Sequence, residues 1–295
     1  MNNKTKGVVF ALLATLLWSV NMVIASSIKG HIPPIGLAFW RWCVACLAFA
    51  PFAFKSTVAQ FSIVKKNWLY LFCTAILGIT IFNTLIYFAG KTTSAINLSL
   101  IAISIPLFII FLSRIFLKER ISTLKLVGIA TIICGVLVLI SKGSWQALRS
   151  ISFSFGDILM LIACFFFASY TLLVRKKPTE IDSKVFLFSV FVMGTVALFP
   201  FYLYEHWYIT TVQFDTKTIL VLLYVGIFAS LVSFYLWNEA IALIGTAKTA
   251  LIYYLIPVFS GLIAYLITDQ PILQSQLISM LIIITGLLLT NKNSN

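Results

Sequence analysis

Apolar residues fall in ten long stretches separated by short polar connectors, at about 7–27, 32–54, 67–89, 92–113, 122–140, 155–175, 184–204, 217–239, 246–267 and 272–290. Each is close to the roughly 20 residues a helix needs to cross a hydrocarbon layer about 30 Å thick. The pattern therefore predicts an all-α membrane protein of ten transmembrane helices. It also repeats. Gly7 and Gly156, and Pro51-Phe52 and Pro200-Phe201, stand 149 residues apart, while Ala89/Ala240, Pro106/Pro257 and Gly135/Gly286 stand 151 apart. One two-residue insertion aligns the halves. With an odd number of crossings per half, the second half enters the membrane from the opposite side, so the expected architecture is two inverted five-helix repeats, residues 1–145 and 151–290.

Helix punctuation fits these boundaries. Pro33-Pro34 precedes the second stretch, Pro271 suits the first turn of the tenth, and Ser154-Phe155-Gly156-Asp157 reads as a capping box at the start of the sixth. Of 295 residues 61% are hydrophobic and 10% charged, well below the roughly 25% charged of a soluble domain. The formal charge of +13 is a matter of topology and does not mark a nucleic-acid partner. With the N-terminus in the cytoplasm, fifteen of the 21 Lys and Arg residues fall on that side and five (Lys29, Lys91, Lys142, Arg149, Lys217) on the other, with Arg41 near a boundary. That bias places both termini inside, and a bacterial plasma membrane is the expected location. The five cysteines lie within apolar stretches, and Cys43-x-x-Cys46 has no second pair beside it. Packing is the expected role, and no metal or cofactor is expected.

Polar side chains in lipid face partners or a wet cavity, and inverted repeats of membrane helices are the build of secondary transporters, with substrate held between the halves. In the third stretch Thr80, Asn83, Thr84, Tyr87 and Lys91 share one helical face; they either line a cavity or bond neighbouring helices. Asn97 and Ser104 share a face of the fourth. Pro106 there, and Pro257 in the ninth, each remove the amide that would bond the carbonyl four residues back, a matched pair of hinge or gate candidates. Trp18 and Asn21 in the first stretch, Tyr170 in the sixth, Tyr235 and Asn238 in the eighth and Tyr253 in the ninth complete the candidate substrate-binding set. Trp237 and Glu239 are expected in the interfacial belt. All eight acidic residues sit at the ends of stretches or in connectors, within reach of water, and the two histidines have no catalytic partners, so no enzyme chemistry is expected.

Three motifs carry a resemblance: Phe39-Trp40-Arg41; Ser94-Ala95 leading to Ile105-Pro106-Leu107-Phe108 and then Leu117-Lys118-Glu119-Arg120; and Gly245-Thr246-Ala247-Lys248 leading to Ile256-Pro257-Val258-Phe259. With these the chain resembles, over nearly its whole length, the ten-helix EamA branch of the drug/metabolite transporter superfamily. It departs at Gln270, where a second glutamate matching Glu119 is usual. The resemblance implies a central cavity lined by helices one, three, four, six, eight and nine, and export of amino acids or related small metabolites by alternating access. The expected partners are a small-molecule substrate and the lipid bilayer, for a monomer or a homodimer. A carrier of cationic drugs would want a buried carboxylate, and one of phosphorylated metabolites several inward cations. A scaffold or regulatory membrane protein would lack a polar midplane pocket.

Overall fold

The computed structural model describes residues 2–27, 32–92, 98, 101–118, 122–141, 144, 146, 149, 154–256, 258–260, 262–263 and 274–291. Among these the regular structure is helical: α1 (Asn3–Ser27), α2 (Pro34–Ala59), the short α3 (Phe61–Lys66), α4 (Trp68–Thr92), α5 (Ser104–Phe116), α6 (Thr123–Ser141), α7 (Phe155–Arg175), α8 (Ser183–Tyr208), α9 (Thr216–Ile244), α10 (Thr246–Tyr253) and α11 (Gln274–Asn291). Helices α2, α4, α7, α8 and α9 are long and apolar enough to cross a membrane, and shorter apolar helices cover Ser104–Phe116, Thr123–Val138 and Leu277–Thr290.

Pairing follows a simple rule. Helix α6 packs on α11, α2 on α8, and α5 on α10; α1 packs on the C-terminal half of α9, and α7 on that of α4. Exchanging α1 with α7, α2 with α8, α4 with α9, α5 with α10 and α6 with α11 maps this set onto itself. Lipid tails are as apolar as the helix faces, so close backbone approach and hydrogen bonds, not hydrophobic transfer, decide such pairs. The α6–α11 seam shows this. A Cβ on Gly135 would lie 2.9 Å from Ile283 Cγ1, and one on Gly286 would lie 2.6 Å from Ile132 Cγ1 and 2.8 Å from the Gly128 carbonyl oxygen.

The helices depart from the expected stretches where the backbone is interrupted. The fourth stretch was expected to run unbroken to residue 113, but a turn at Ile103 ends one helical piece and α5 begins at Ser104, with Pro106 in its first turn. In the second half α10 ends at Tyr253 and a turn at Tyr254-Leu255 follows, three residues ahead of Pro257 as Ile103 is ahead of Pro106. Pro257 itself lies outside the described residues. Carbonyls near the breaks find side-chain donors: Ile101 accepts Ser104 Oγ (2.6 Å) and Cys164 Sγ (3.5 Å), and Ile256 accepts Ser19 Oγ (3.3 Å). Between α9 and α10 stands a single residue, Gly245, at φ 81°, a conformation that disfavours any residue with a Cβ.

Helices α4 and α9 also contain π-helical segments, Ile76–Ile81 and Tyr224–Val232, which occupy matching positions of the two halves. Such segments leave backbone groups needing partners and often mark functional positions. Asn83 Nδ2 donates to the carbonyls of Gly78 (3.1 Å) and Ile79 (3.2 Å), and in α9 Ser230 and Ser233 donate back to Val225 and Phe228 (both 2.7 Å).

Polar ties close both ends. At one, the connector after α7 docks on α3: Glu180 accepts Asn67 Nδ2 (2.8 Å) and Lys66 Nζ (3.2 Å), and Gln60 Nε2 donates to Asp182 (2.5 Å). The Asn67 amide, then Lys66, hold the Glu180 carboxyl below its ordinary range. At the other, Glu205 of α8 accepts the amides of Ile35 (3.2 Å) and Gly36 (2.6 Å), supplying the first turn of α2 with the acceptors it lacks. Glu205 and Asp157, expected within reach of water, are 3% and 2% exposed. Both lie inside the protein as caps, Asp157 in the expected capping box, where it accepts the Ser154 amide at 2.6 Å.

Candidate functional site

Beside the two π segments lie an aromatic cluster and a buried arginine. At the centre Trp18 of α1 meets Phe167 of α7 (ring centroids 5.7 Å apart, edge on), Phe234 (5.7 Å) and Trp237 (5.2 Å) of α9, and Tyr253 of α10 (6.0 Å). Phe82 of α4 stacks on Phe167 at 4.5 Å. Tyr170, one turn beyond Phe167, packs on Phe234 at 5.6 Å and donates through its hydroxyl to Asn238 Oδ1 at 3.0 Å. Its ring lies where Gly78 leaves room: a Cβ there would fall 2.2 Å from Tyr170 Cδ2. The rings contact one another and are buried.

Arg41 lies on the other side of Ala229. It is 3% exposed and donates through Nε to Ser230 Oγ (2.8 Å), through Nη1 to Asn83 Oδ1 (3.0 Å) and Tyr87 Oη (2.6 Å), and through Nη2 to the Ala229 carbonyl (3.4 Å). The same carbonyl accepts Trp18 Nε1 at 2.9 Å. The guanidinium stands 5.3 Å from the Trp42 ring, and Trp42 meets Phe234 edge on at 5.1 Å. One cation thus ties α2 to the π segment of α9, through Ser230 and the Ala229 carbonyl, and to the part of α4 just beyond its π segment, through Asn83 and Tyr87, and it is joined to the aromatic cluster through a shared oxygen.

Of the sequence-derived candidates, Trp18, Tyr170 and Tyr253 lie in the aromatic cluster, Asn238 bonds to it, and Asn83 and Tyr87 bond Arg41. Asn21 and Tyr235 are half-buried and have no hydrogen bond to the cluster or to Arg41. Pro106 is buried at the start of α5. Asn97 lies outside the described residues. Two residues at the centre were placed elsewhere by sequence reasoning. Trp237, expected in the interfacial belt, is fully buried and donates to Thr171 Oγ1 at 3.4 Å. Arg41, read as a boundary charge, sits in the interior; the available signal was its place inside the apolar stretch 32–54, with the Asn83 and Tyr87 face to receive it. Beyond the cluster, at the Gly245 end of the bundle, a cavity of about 560 Å³ is lined by Lys4, Lys125, Arg175 and Lys248.

Apolar helices of membrane length, packed around a buried polar and aromatic centre, define a multi-pass integral membrane protein. The chain belongs to the EamA-like transporter family, whose sequence profile matches residues 5–141 and again 154–292. It is 28% identical over 273 residues to an uncharacterized transporter of Archaeoglobus fulgidus, covering 92% of each chain. A protein of Escherichia coli named a probable amino-acid metabolite efflux pump is 25% identical over 299 residues, 95% of this chain and 92% of that one. A solved crystal structure shares the fold with a TM-score of 0.79 at 19% identity, over 97% of this chain and 96% of its own. The family and these named relatives are transporters.

Proposed function

We propose that this chain is a secondary transporter that exports small zwitterionic or neutral metabolites such as amino acids, by alternating access between two inverted five-helix halves, residues 1–145 and 151–290. The observation that carries this reading is the pair of interruptions at matching positions of the halves, in α4/α9 and at the α5/α10 breaks, flanking a buried polar and aromatic centre; paired discontinuities of this kind accompany midplane substrate sites. The exchange of helix pairings between the halves supports it too, as do the relatives named as amino-acid metabolite efflux pumps in Escherichia coli and Salmonella typhimurium, each 25% identical. Closed rings at the centre correspond to an occluded state, and rocking of the halves exposes them to either side in turn.

Both termini are cytoplasmic in this proposal, and the basic cavity of Lys4, Lys125, Arg175 and Lys248 opens to that side. Reporter fusions after Lys177 and Asn295 are expected to read cytoplasmic and one at Gly143 external; an external C-terminus would overturn the ten-span topology.

The acidic residues buried in the described structure, Asp157 and Glu205, already accept backbone amides as caps, so transport runs by facilitated diffusion or through the charge of the substrate itself. Proteoliposome flux of an amino-acid panel, with and without an imposed pH gradient, tests the function. Glu239→Gln is expected to retain substantial transport. Uphill accumulation driven by the gradient and abolished in Glu239→Gln would refute the coupling scheme, and no flux of any amino acid would refute the substrate class.

A further inference from the structure

Arg41 is charged where the architecture needs only a donor. Burying a guanidinium costs several kcal/mol unless a counter-charge repays it, and the usual counter-charge is a carboxylate. Here every partner is neutral: two hydroxyls, one amide oxygen and one backbone carbonyl. Among the described residues no carboxylate pairs with Arg41. A glutamine or asparagine could tie α2 to α4 and α9 without that cost, so the charge itself calls for an explanation.

The hydrogen-bond inventory is also incomplete. Nη2 carries two N–H groups and meets a single acceptor at the long distance of 3.4 Å. Nη1 shares its donors between Asn83 and Tyr87, and Tyr87 is only half-buried, so its hydroxyl is the partner most readily displaced. Moving Tyr87 aside frees a donor on Nη1, which joins the second N–H of Nη2, and one N–H from each terminal nitrogen matches the two oxygens of a carboxylate. Against this fork stand Trp42, Phe234 and Trp18, with Trp18 bonded to the same Ala229 oxygen as Nη2.

We propose that Arg41 is the anchor for a carboxylate on the transported molecule, whose apolar or aromatic part replaces ring–ring contacts in the cluster of Trp18, Phe167 and Phe234. In the closed state Tyr87, Asn83, Ser230 and the Ala229 carbonyl hold the guanidinium as neutral placeholders; substrate entry exchanges Tyr87 for one carboxylate oxygen, and the other takes the spare N–H of Nη2. This deepens the transporter reading and rests on it, yet the anchor has a test that needs no flux.

Purified protein in lipid nanodiscs is titrated with phenylpropionate and with its neutral isostere phenylpropionamide, following tryptophan fluorescence. Wild type is expected to bind the carboxylate saturably and at least about 30-fold more tightly than the amide, the discrimination that losing a charge-assisted bidentate contact implies. Arg41→Gln abolishes this preference while leaving the weak amide binding in place, and Arg41→Lys recovers part of it. Tyr87→Phe removes the competing hydroxyl and raises carboxylate affinity about threefold, a gain that a purely structural tie would not give; this variant also decides the matter if Arg41→Gln fails to fold. Equal binding of acid and amide by wild type, absence of saturable carboxylate binding, or unchanged or weakened carboxylate binding in Tyr87→Phe would each overturn the anchor. Carboxylate binding without amino-acid flux in proteoliposomes would instead overturn the transport reading and leave the anchor standing.

Discussion

Gly286→Val is expected to abolish accumulation of folded protein, or to lower stability by about 3 kcal/mol or more, the upper range for overpacking a tight interface. The new Cβ would fall 2.8 Å from the Gly128 carbonyl oxygen and 2.9 Å from the Ile132 amide nitrogen. Both are backbone atoms of α6, which cannot swing aside as a side-chain end can, so α6 and α11 must separate. Because close backbone approach and small contact distances supply the association of helices in lipid, that separation removes the source of the pair's stability. Gly90→Ala is the control: its nearest neighbour would be Leu98 Cδ1 at 3.9 Å, and it is expected to be neutral or slightly stabilising. Size-exclusion profiles and thermal unfolding in detergent measure both. A monodisperse Gly286→Val protein with wild-type Tm would show that the seam tolerates what its geometry forbids.

Trp18→Ala is expected to cost about 3–5 kcal/mol, the range for truncating a large buried aromatic, and to abolish transport. Trp18 touches four rings and bonds the Ala229 carbonyl, so its removal leaves a void between α1, α7, α9 and α10 and leaves that carbonyl only the long contact from Arg41 Nη2. Trp18→Phe separates the two contributions. It keeps ring contact and loses the indole N–H, for about 1 kcal/mol, and retains flux. Thermal unfolding and proteoliposome flux of both variants check this; equal losses in Trp18→Phe and Trp18→Ala would mean that the hydrogen bond, not the packing, holds the centre.

The helices were legible because lipid imposes one rule on every crossing segment, and a run of about 20 apolar residues is its direct imprint. The breaks were partly legible. Pro106 and Pro257 announced a lost amide donor, but the turns fall three residues earlier, at Ile103 and Tyr254-Leu255, because the helix yields where the ring would clash, before the proline itself. The π segments left no sign, since Ile76–Ile81 and Tyr224–Val232 read as ordinary apolar runs and their extra residue is set by what Asn83, Ser230 and Ser233 can bond. Trp237 and Arg41 were misplaced for a related reason. A sequence gives distance from the end of a stretch, and distance from the end says nothing about which side of the helix faces protein; Trp237 faces Trp18, and Arg41 faces α4 and α9.

The α6–α11 seam holds two contacts of one kind, Gly135 with Ile283 and Gly286 with Ile132; the two glycines stand 151 residues apart, and so do the two isoleucines. In a dimer of identical five-helix chains these would be a single contact met twice, and any substitution there would strike both copies at once. Joining the halves in one chain ends that double jeopardy. Each position becomes free to change alone, and the chain uses the freedom selectively: the glycines and isoleucines of the seam stay paired, whereas Tyr87, beside Arg41, answers at the same spacing to Asn238, beside Tyr170. The seam keeps the memory of equality while the centre has become lopsided.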